Sequence, residues 1–157
     1  MQVDYQPNVD LMKVFNSTTM LVNDQPNAEN GFCYVKAGGD GPPIHTHPVQ
    51  EEKFRVISGN LEVYKKNKWI KLSEGEEIII PKQTAHSFRS RDPEDCLFEY
   101  VMTPKGNFSG MLQTFEKLMA EGKLNSTSDL KSIIHLAMTF DKHSDELRSV
   151  SPPHFVI

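Results

Sequence analysis

Two histidines separated by one residue, His45-Thr46-His47, follow the turn-rich run Gly39-Asp40-Gly41-Pro42-Pro43. On an extended strand alternate side chains share a face. Both imidazoles therefore point the same way, and two same-face nitrogens begin a chelate. Glu52 opens the next alternating segment, in which Phe54 and Val56 share its parity while Lys53 and Arg55 take the other. His86 opens a later one, with Phe88 and Ser90 on its side and Ser87 and Arg89 opposite. Each segment carries a polar donor at one end and an aromatic ring further in, as expected of strands that look into a barrel from its mouth. Three imidazoles and a carboxylate suit a divalent transition metal better than Ca²⁺ or Mg²⁺, which take oxygen ligands. Zinc accepts such a set as a closed four-coordinate site. Six-coordinate Fe, Mn, Ni or Co would keep two positions for water, substrate or dioxygen. The other histidines, His135, His143 and His154, lie in or beyond the last helical stripe and read as solvated or structural.

These donors need strands to hold them, and residues 31–103 read as strand after strand. Phe32–Ala37, Lys53–Ile57, Leu61–Tyr64, Trp69–Leu72, Ile78–Ile80, His86–Arg91 and Cys96–Met102 are β-rich and separated by turn residues such as Ser58-Gly59-Asn60. No gap is long enough for a helical crossover, so the sheet is antiparallel. On the last strand, Tyr100 and Met102 are expected inward as apolar wall and Glu99 outward. Before residue 31, Leu11, Val14, Phe15 and Met20-Leu21-Val22 indicate one or two short strands. After Pro104-Lys105-Gly106 the period changes. Phe108, Met111, Leu112, Phe115, Leu118 and Met119 share one helical face, and Gly122 stops that helix. A second stripe, Leu130, Ile133, Ile134, Ala137 and Met138, follows the capping residues Ser126 and Asp129. Both stripes are expected to be buried, because amphipathic helices pack their apolar face. The reading is an all-β antiparallel barrel over residues 1–104, its N-terminal strands included. A helical extension over 105–157 packs on the barrel or on a dimer partner, and Pro152-Pro153 marks an irregular tail.

Composition narrows the function. The chain has 157 residues, enough for one domain with a real core, and a formal charge of −4. A mildly acidic chain without a basic run does not offer nucleic-acid phosphates or an anionic membrane a footprint. Cys33 and Cys96 form no CxxC pair and read as reduced thiols in strands. The N-terminus shows no basic-then-apolar leader, and the longest purely apolar run is Ile78-Ile79-Ile80. The expectation is a cytoplasmic protein whose partner is a small-molecule substrate.

The run Gly39…His45-Thr46-His47…Glu52…Gly59 resembles the first motif of the cupin superfamily, and Gly75…Pro81…His86 resembles the second. The six residues between Glu52 and Gly59 select Glu52 over Glu51. Gln83 stands where the family has Gly, which implies a different local backbone there, and Ser90 stands where it often has Asn. The resemblance implies a single-domain cupin jelly roll of the quercetin-dioxygenase-like type, commonly a homodimer. It implies a metal (Fe, Mn, Ni, Co or Zn) held by His45, His47, Glu52 and His86. Phe54, Phe88, Tyr100 and Met102 would line the substrate pocket, and Glu52 could take a proton. The leading expectation is an oxygenase acting on a small organic substrate. The competing ones are a non-catalytic binding or sensing cupin and a sugar-type isomerase. An isomerase needs inward Arg or Lys, whereas Arg55, Arg89 and Arg91 fall on the wrong parity.

This register makes a test. Glu52→Gln keeps size and an oxygen donor but removes the charge, so metal content should fall. Glu51→Gln should leave it unchanged. Elemental analysis of both purified proteins checks this, and the reverse outcome would shift the strand by one residue.

Overall fold

The computed structural model describes residues 2–150, so the Pro152-Pro153 tail and His154 lie outside the described residues. The chain enters through β1 (Val9–Leu11), one short helical turn α1 (Met12–Phe15) and β2 (Ser17–Leu21). It continues through β3 (Glu29–Val35), β4 (His45–Thr46), β5 (Glu51–Ser58), β6 (Leu61–Lys65) and β7 (Lys68–Leu72). Then come β8 (Glu77–Ile80), β9 (His86–Arg89) and β10 (Cys96–Thr103). The helices α2 (Phe108–Ala120) and α3 (Leu130–Lys142) follow, and β11 (Arg148–Ser149) closes the series. A six-stranded sheet in the order β1-β2-β3-β10-β5-β8 faces a five-stranded one in the order β11-β4-β9-β6-β7, and all pairings are antiparallel. The result is a jelly-roll barrel with C-terminal helices. No helix of the described residues is long and apolar enough to cross a membrane.

Alternation sets the core. Phe54 and Val56 of β5, Leu61 and Val63 of β6, and Phe98, Tyr100 and Met102 of β10 are buried between the sheets. Glu99, on the opposite parity of β10, is half-buried. The connection from β5 to β6, which passes from one sheet to the other, turns at Gly59, whose φ of +77° and closeness to the Asp95 carbonyl (2.4 Å from where a Cβ would stand) leave room for no side chain. Gln83 also has a left-handed φ, +63°. This corrects the expectation drawn from the missing glycine: the tight turn before His86 is kept, and Gln83 adopts it. Its N–H donates to the His47 carbonyl at 2.8 Å, which holds the turn against the metal-ligand loop.

A second core lies outside the barrel. Val9, Leu11 and Phe15 from the N-terminal elements pack with Met111 and Phe115 of α2 and with Leu136 of α3. Burying each such side chain contributes about 1.5–3 kcal/mol. The N-terminal cap of α2 comes from far away in sequence. Asn107 makes no side-chain cap bond. Instead the buried Glu29 carboxylate of β3 accepts from the N–H groups of Phe108 (3.1 Å) and Ser109 (2.9 Å) and from Gly106 N–H (3.2 Å). Burial works against this charge, but the helix-end donors and Gln50 outweigh it and hold the carboxyl below its usual range.

Of the two surfaces expected to bury the second helical stripe, the barrel or a dimer partner, the barrel does not. Leu130, Ile134 and Met138 are 72%, 48% and 61% exposed, and α3 buries Ser132, Leu136 and Thr139 instead. The cause lies in the loop before the helix. Ser132 Oγ accepts from Asn125 N–H at 2.8 Å, and the Asp129 side chain accepts from Ser132 N–H at 3.0 Å. Turning the apolar stripe inward would orphan these groups, and a buried unpaired donor costs about 1–3 kcal/mol.

The two faces of α3 should therefore differ in energetic weight. Leu136→Ala should cost about 2–5 kcal/mol in urea unfolding, whereas Leu130→Ala should stay within about 0.5 kcal/mol of the parent. Equal losses would contradict the observed rotation of the helix.

Candidate metal centre

Glu52 comes from β5, a central strand of the six-stranded sheet, where it faces Met102 of β10 and Ile80 of β8. His45 and His86 come from the other sheet, directly opposite each other across β4 and β9. His47 sits in the loop just after β4. The four side chains are buried, and their donor atoms all lie within 4.8 Å of one another. The imidazole rings are 4.4–5.0 Å apart, centroid to centroid.

Each imidazole is oriented from behind by a backbone carbonyl. Nδ1 of His45 donates to Pro43 O (2.7 Å), that of His86 to Thr84 O (2.8 Å), and that of His47 to Glu146 O (2.6 Å). Such partners fix the tautomer and present Nε2 to the shared centre. There, Nε2 of His47 and Nε2 of His86 approach the same oxygen, Glu52 Oε2, at 3.0 and 2.9 Å. Both of these rings thus have an acceptor at each end. With no cation, His47 in that position needs a proton on both nitrogens. Burial disfavours the His47 imidazolium, but the Glu52 charge and the Glu146 carbonyl outweigh it and raise the group above its ordinary value. Glu52 is likewise penalised by burial yet held well below its usual range by His47 and His86. Burial first, then its two imidazole neighbours, pushes His45 well below the ordinary histidine value and leaves it neutral. A divalent cation replaces those protons and satisfies the converging lone pairs, so the donor set fits a bound metal on its own chemistry.

One cavity opens from this group. Its total void, mouth included, is about 760 Å³, and His45 and Glu52 form part of its wall. Phe54, Phe88 and Tyr100, expected in the pocket, line it. Met102 is buried beside Glu52 in the barrel core, behind the wall. The roof comes from the extension, with Met111, Phe115 and Phe140 closing over the barrel. The arginines stay outside: Arg89 stacks on Trp69 and pairs with Glu62, and Arg91 pairs with Asp40. His143 ends α3 and His135 lies within it, both away from the cluster. Cys33 and Cys96 are free and buried, and burial raises both thiols, Cys96 to about 12.

Some of the positioning was open to sequence reading and some was not. The Pro43 and Thr84 carbonyls each lie two residues before their histidine, a repeated local pattern. The Glu146 carbonyl that orients His47 is 99 residues away, and nothing in the motif points to it. It arrives because β11 pairs with β4, Ser149 opposite His45.

Residues 31–103 match the family described as "Cupin domain". A probable oxidoreductase, virH, from Hypocrea virens is 35% identical over 46% of this chain and 34% of its own length. Quercetin 2,3-dioxygenase from Bacillus subtilis is 30% identical over 57% of this chain and 26% of its own. The chain thus spans about a third or less of the curated relatives it matches. Among solved structures, KdgF from a Halomonas species superposes with a TM-score of 0.53 at 21% identity, covering 59% of this chain and 83% of that one. A sugar phosphate isomerase from Silicibacter pomeroyi gives 0.53 at 18% identity, covering 57% and 60%.

The proton logic sets a pH dependence. Without metal, His47 is raised above 6.5, so its stabilising contribution is present below that value and is lost as pH rises through its folded value. Glu52 is lowered below 4.5, so its contribution is present above that value and is lost only as pH falls well below it. Metal competes with the His47 proton. The rise in melting temperature on adding Zn²⁺ or Co²⁺ should therefore grow from about pH 6 to about pH 8. It should be nearly abolished in His86→Ala. A pH-independent gain, or one retained in that variant, would place the ion elsewhere.

Proposed function

We propose that this chain is a metal-dependent oxygenase acting on a small, largely apolar organic substrate. The observation that carries the reading is the composition of the cavity wall beside the metal group. Among the described residues, Phe54, Phe88, Phe98, Phe108 and Phe115 face it, Glu52 is its one carboxylate, and no Lys or Arg lines it. A sugar phosphate or other polyanion would need a cationic partner in such a wall, because an unpaired buried charge is costly. The wall thus argues against the isomerase alternative. It suits a ring-bearing substrate anchored by oxygen at the metal end, in keeping with mostly apolar pockets that hold a few polar groups. The names of the oxidoreductase and dioxygenase relatives point the same way.

His45, His47, Glu52 and His86 would hold the ion. Such an ion supplies Lewis-acid polarisation of a substrate oxygen and one-electron chemistry with dioxygen. Glu52 lowers the charge of the site by one and is the nearest carboxylate to receive a substrate proton. The roof of Met111, Phe115 and Phe140 excludes water from the reacting face. One observation favours a second reading, a binding or sensing cupin. Glu52 is already engaged by His47 and His86, and among the described residues no second carboxylate lines the cavity to act as a base.

Reconstitution with Fe²⁺, Mn²⁺, Ni²⁺, Co²⁺ or Zn²⁺, followed by oxygen-electrode assays on catechols and flavonols, separates the two. The oxygenase reading expects oxygen uptake that needs both metal and substrate and falls by about a hundredfold or more in Glu52→Gln. Ligand binding with no oxygen uptake under every metal would establish the binding reading in its place.

A further inference from the structure

The hydroxyl of Tyr100 is anomalous. The residue is 4% exposed and lines the cavity, yet its oxygen has no hydrogen-bond partner. Buried polar atoms are almost always paired, so an orphan at a cavity wall points to something that binds there. Nearby on this wall, the Cys33 thiol is hydrogen-bonded by Thr19 and Ser17. The backbone also reserves space for the phenol. Gly31 stands opposite Tyr100 across β3 and β10, and a Cβ there would lie 2.8 Å from the hydroxyl oxygen and 2.3 Å from the Met20 carbonyl. Burial, with the nearby negative groups, raises the phenol well above its usual range, so the oxygen keeps its proton and can donate.

Its position relative to the metal group gives the direction. Along β10, Met102 faces Glu52 while Tyr100 faces Phe54. The phenol starts one inward-facing position along β10 from the residue opposite the carboxylate and reaches across Gly31 toward β2, on the side of the barrel away from β5. We infer that Tyr100 is a specificity-determining residue: its hydroxyl donates a hydrogen bond to a second oxygen on a substrate whose first oxygens bind at the His45–His47–Glu52–His86 group. The ligand class is an apolar, ring-bearing molecule with oxygen functions at both ends, rather than a hydrocarbon with one polar head. This rests on the reading of the cavity as the substrate site, and it adds a second recognition point that metal chelation cannot supply.

The experiment uses Tyr100→Phe, which removes one oxygen and keeps the ring. In the unliganded protein the unfolding midpoint should stay or rise, because an unpaired hydroxyl is removed. A clear fall would mean that the hydroxyl has a structural partner, and would overturn the inference. The Co²⁺-loaded wild-type and variant proteins are then titrated with matched 4-alkylcatechols of increasing chain length, ending in methyl or in hydroxyl, and followed by the cobalt absorption spectrum. At one chain length the wild type should prefer the hydroxyl-ended member by about three- to tenfold beyond the other lengths. Tyr100→Phe should lose that preference while binding the methyl-ended member as before. A preference absent at all lengths, or one that survives in the variant, overturns the role of Tyr100 and leaves the substrate site standing. If no catechol perturbs the cobalt spectrum of the wild type, the chelating-substrate reading fails, and this inference fails with it.

Discussion

A single carboxylate oxygen, Oε2 of Glu52, receives two imidazole nitrogens inside a barrel that excludes water. The rest of the structure follows from the cost of that placement. An isolated carboxylate in such surroundings is strongly disfavoured, and burial penalises both it and the imidazolium form of His47. It persists because the two sheets bring opposite partners to one point. Glu52 belongs to a central strand of one sheet, His45 and His86 to facing strands of the other. Whatever occupies the centre, protons or a metal, ties the two sheets together near the barrel mouth.

The extension beyond the barrel is bound into this arrangement at both ends. At its start, Glu29 caps α2 and also accepts from Gln50 Nε2 at 3.1 Å, in the loop between His47 and Glu52. At its end, β11 adds to β4, and the Glu146 carbonyl fixes the His47 ring. Between these anchors, α2 and α3 pack on the N-terminal strand and roof the cavity. A change in how the helices sit would thus reach the metal group through hydrogen bonds, while also altering the shape of the substrate space. Residues expected to be an accessory to the barrel turn out to supply part of the orientation of its chemistry.

The strands, their order of parity and the four converging donors were legible because each is written in local alternation. His45, His47, Glu52 and His86 needed only period two and short spacings. The unread features share a different cause: each depends on partners distant in sequence. The cap of α2 lies on β3, and the orienting carbonyl of His47 lies on the last described loop. Local pattern also left open which surface a stripe meets. The stripe of Leu130, Ile134 and Met138 reads as a face to be covered, and the loop donor captured by Ser132 turns it away from the barrel. At Gln83, composition implied a changed backbone, whereas the hydrogen bond to the His47 carbonyl holds a residue with a Cβ in the left-handed turn.

The same barrel serves several chemistries, so the wall of this cavity, and not the fold, decides the function. A metal group alone binds oxygen donors without regard to what they are attached to. Selection therefore falls to the surfaces beyond the ion. Here those are aromatic, lack cations and are roofed by apolar side chains, which disfavours phosphorylated and strongly hydrated ligands through desolvation. Against that background a lone unpaired phenol weighs more than it would in a polar pocket. In a low-dielectric enclosure a made hydrogen bond is strengthened and a missing one is penalised. The pairing of one chelating end with one directional donor elsewhere on the wall is what would turn a permissive metal site into a selective one.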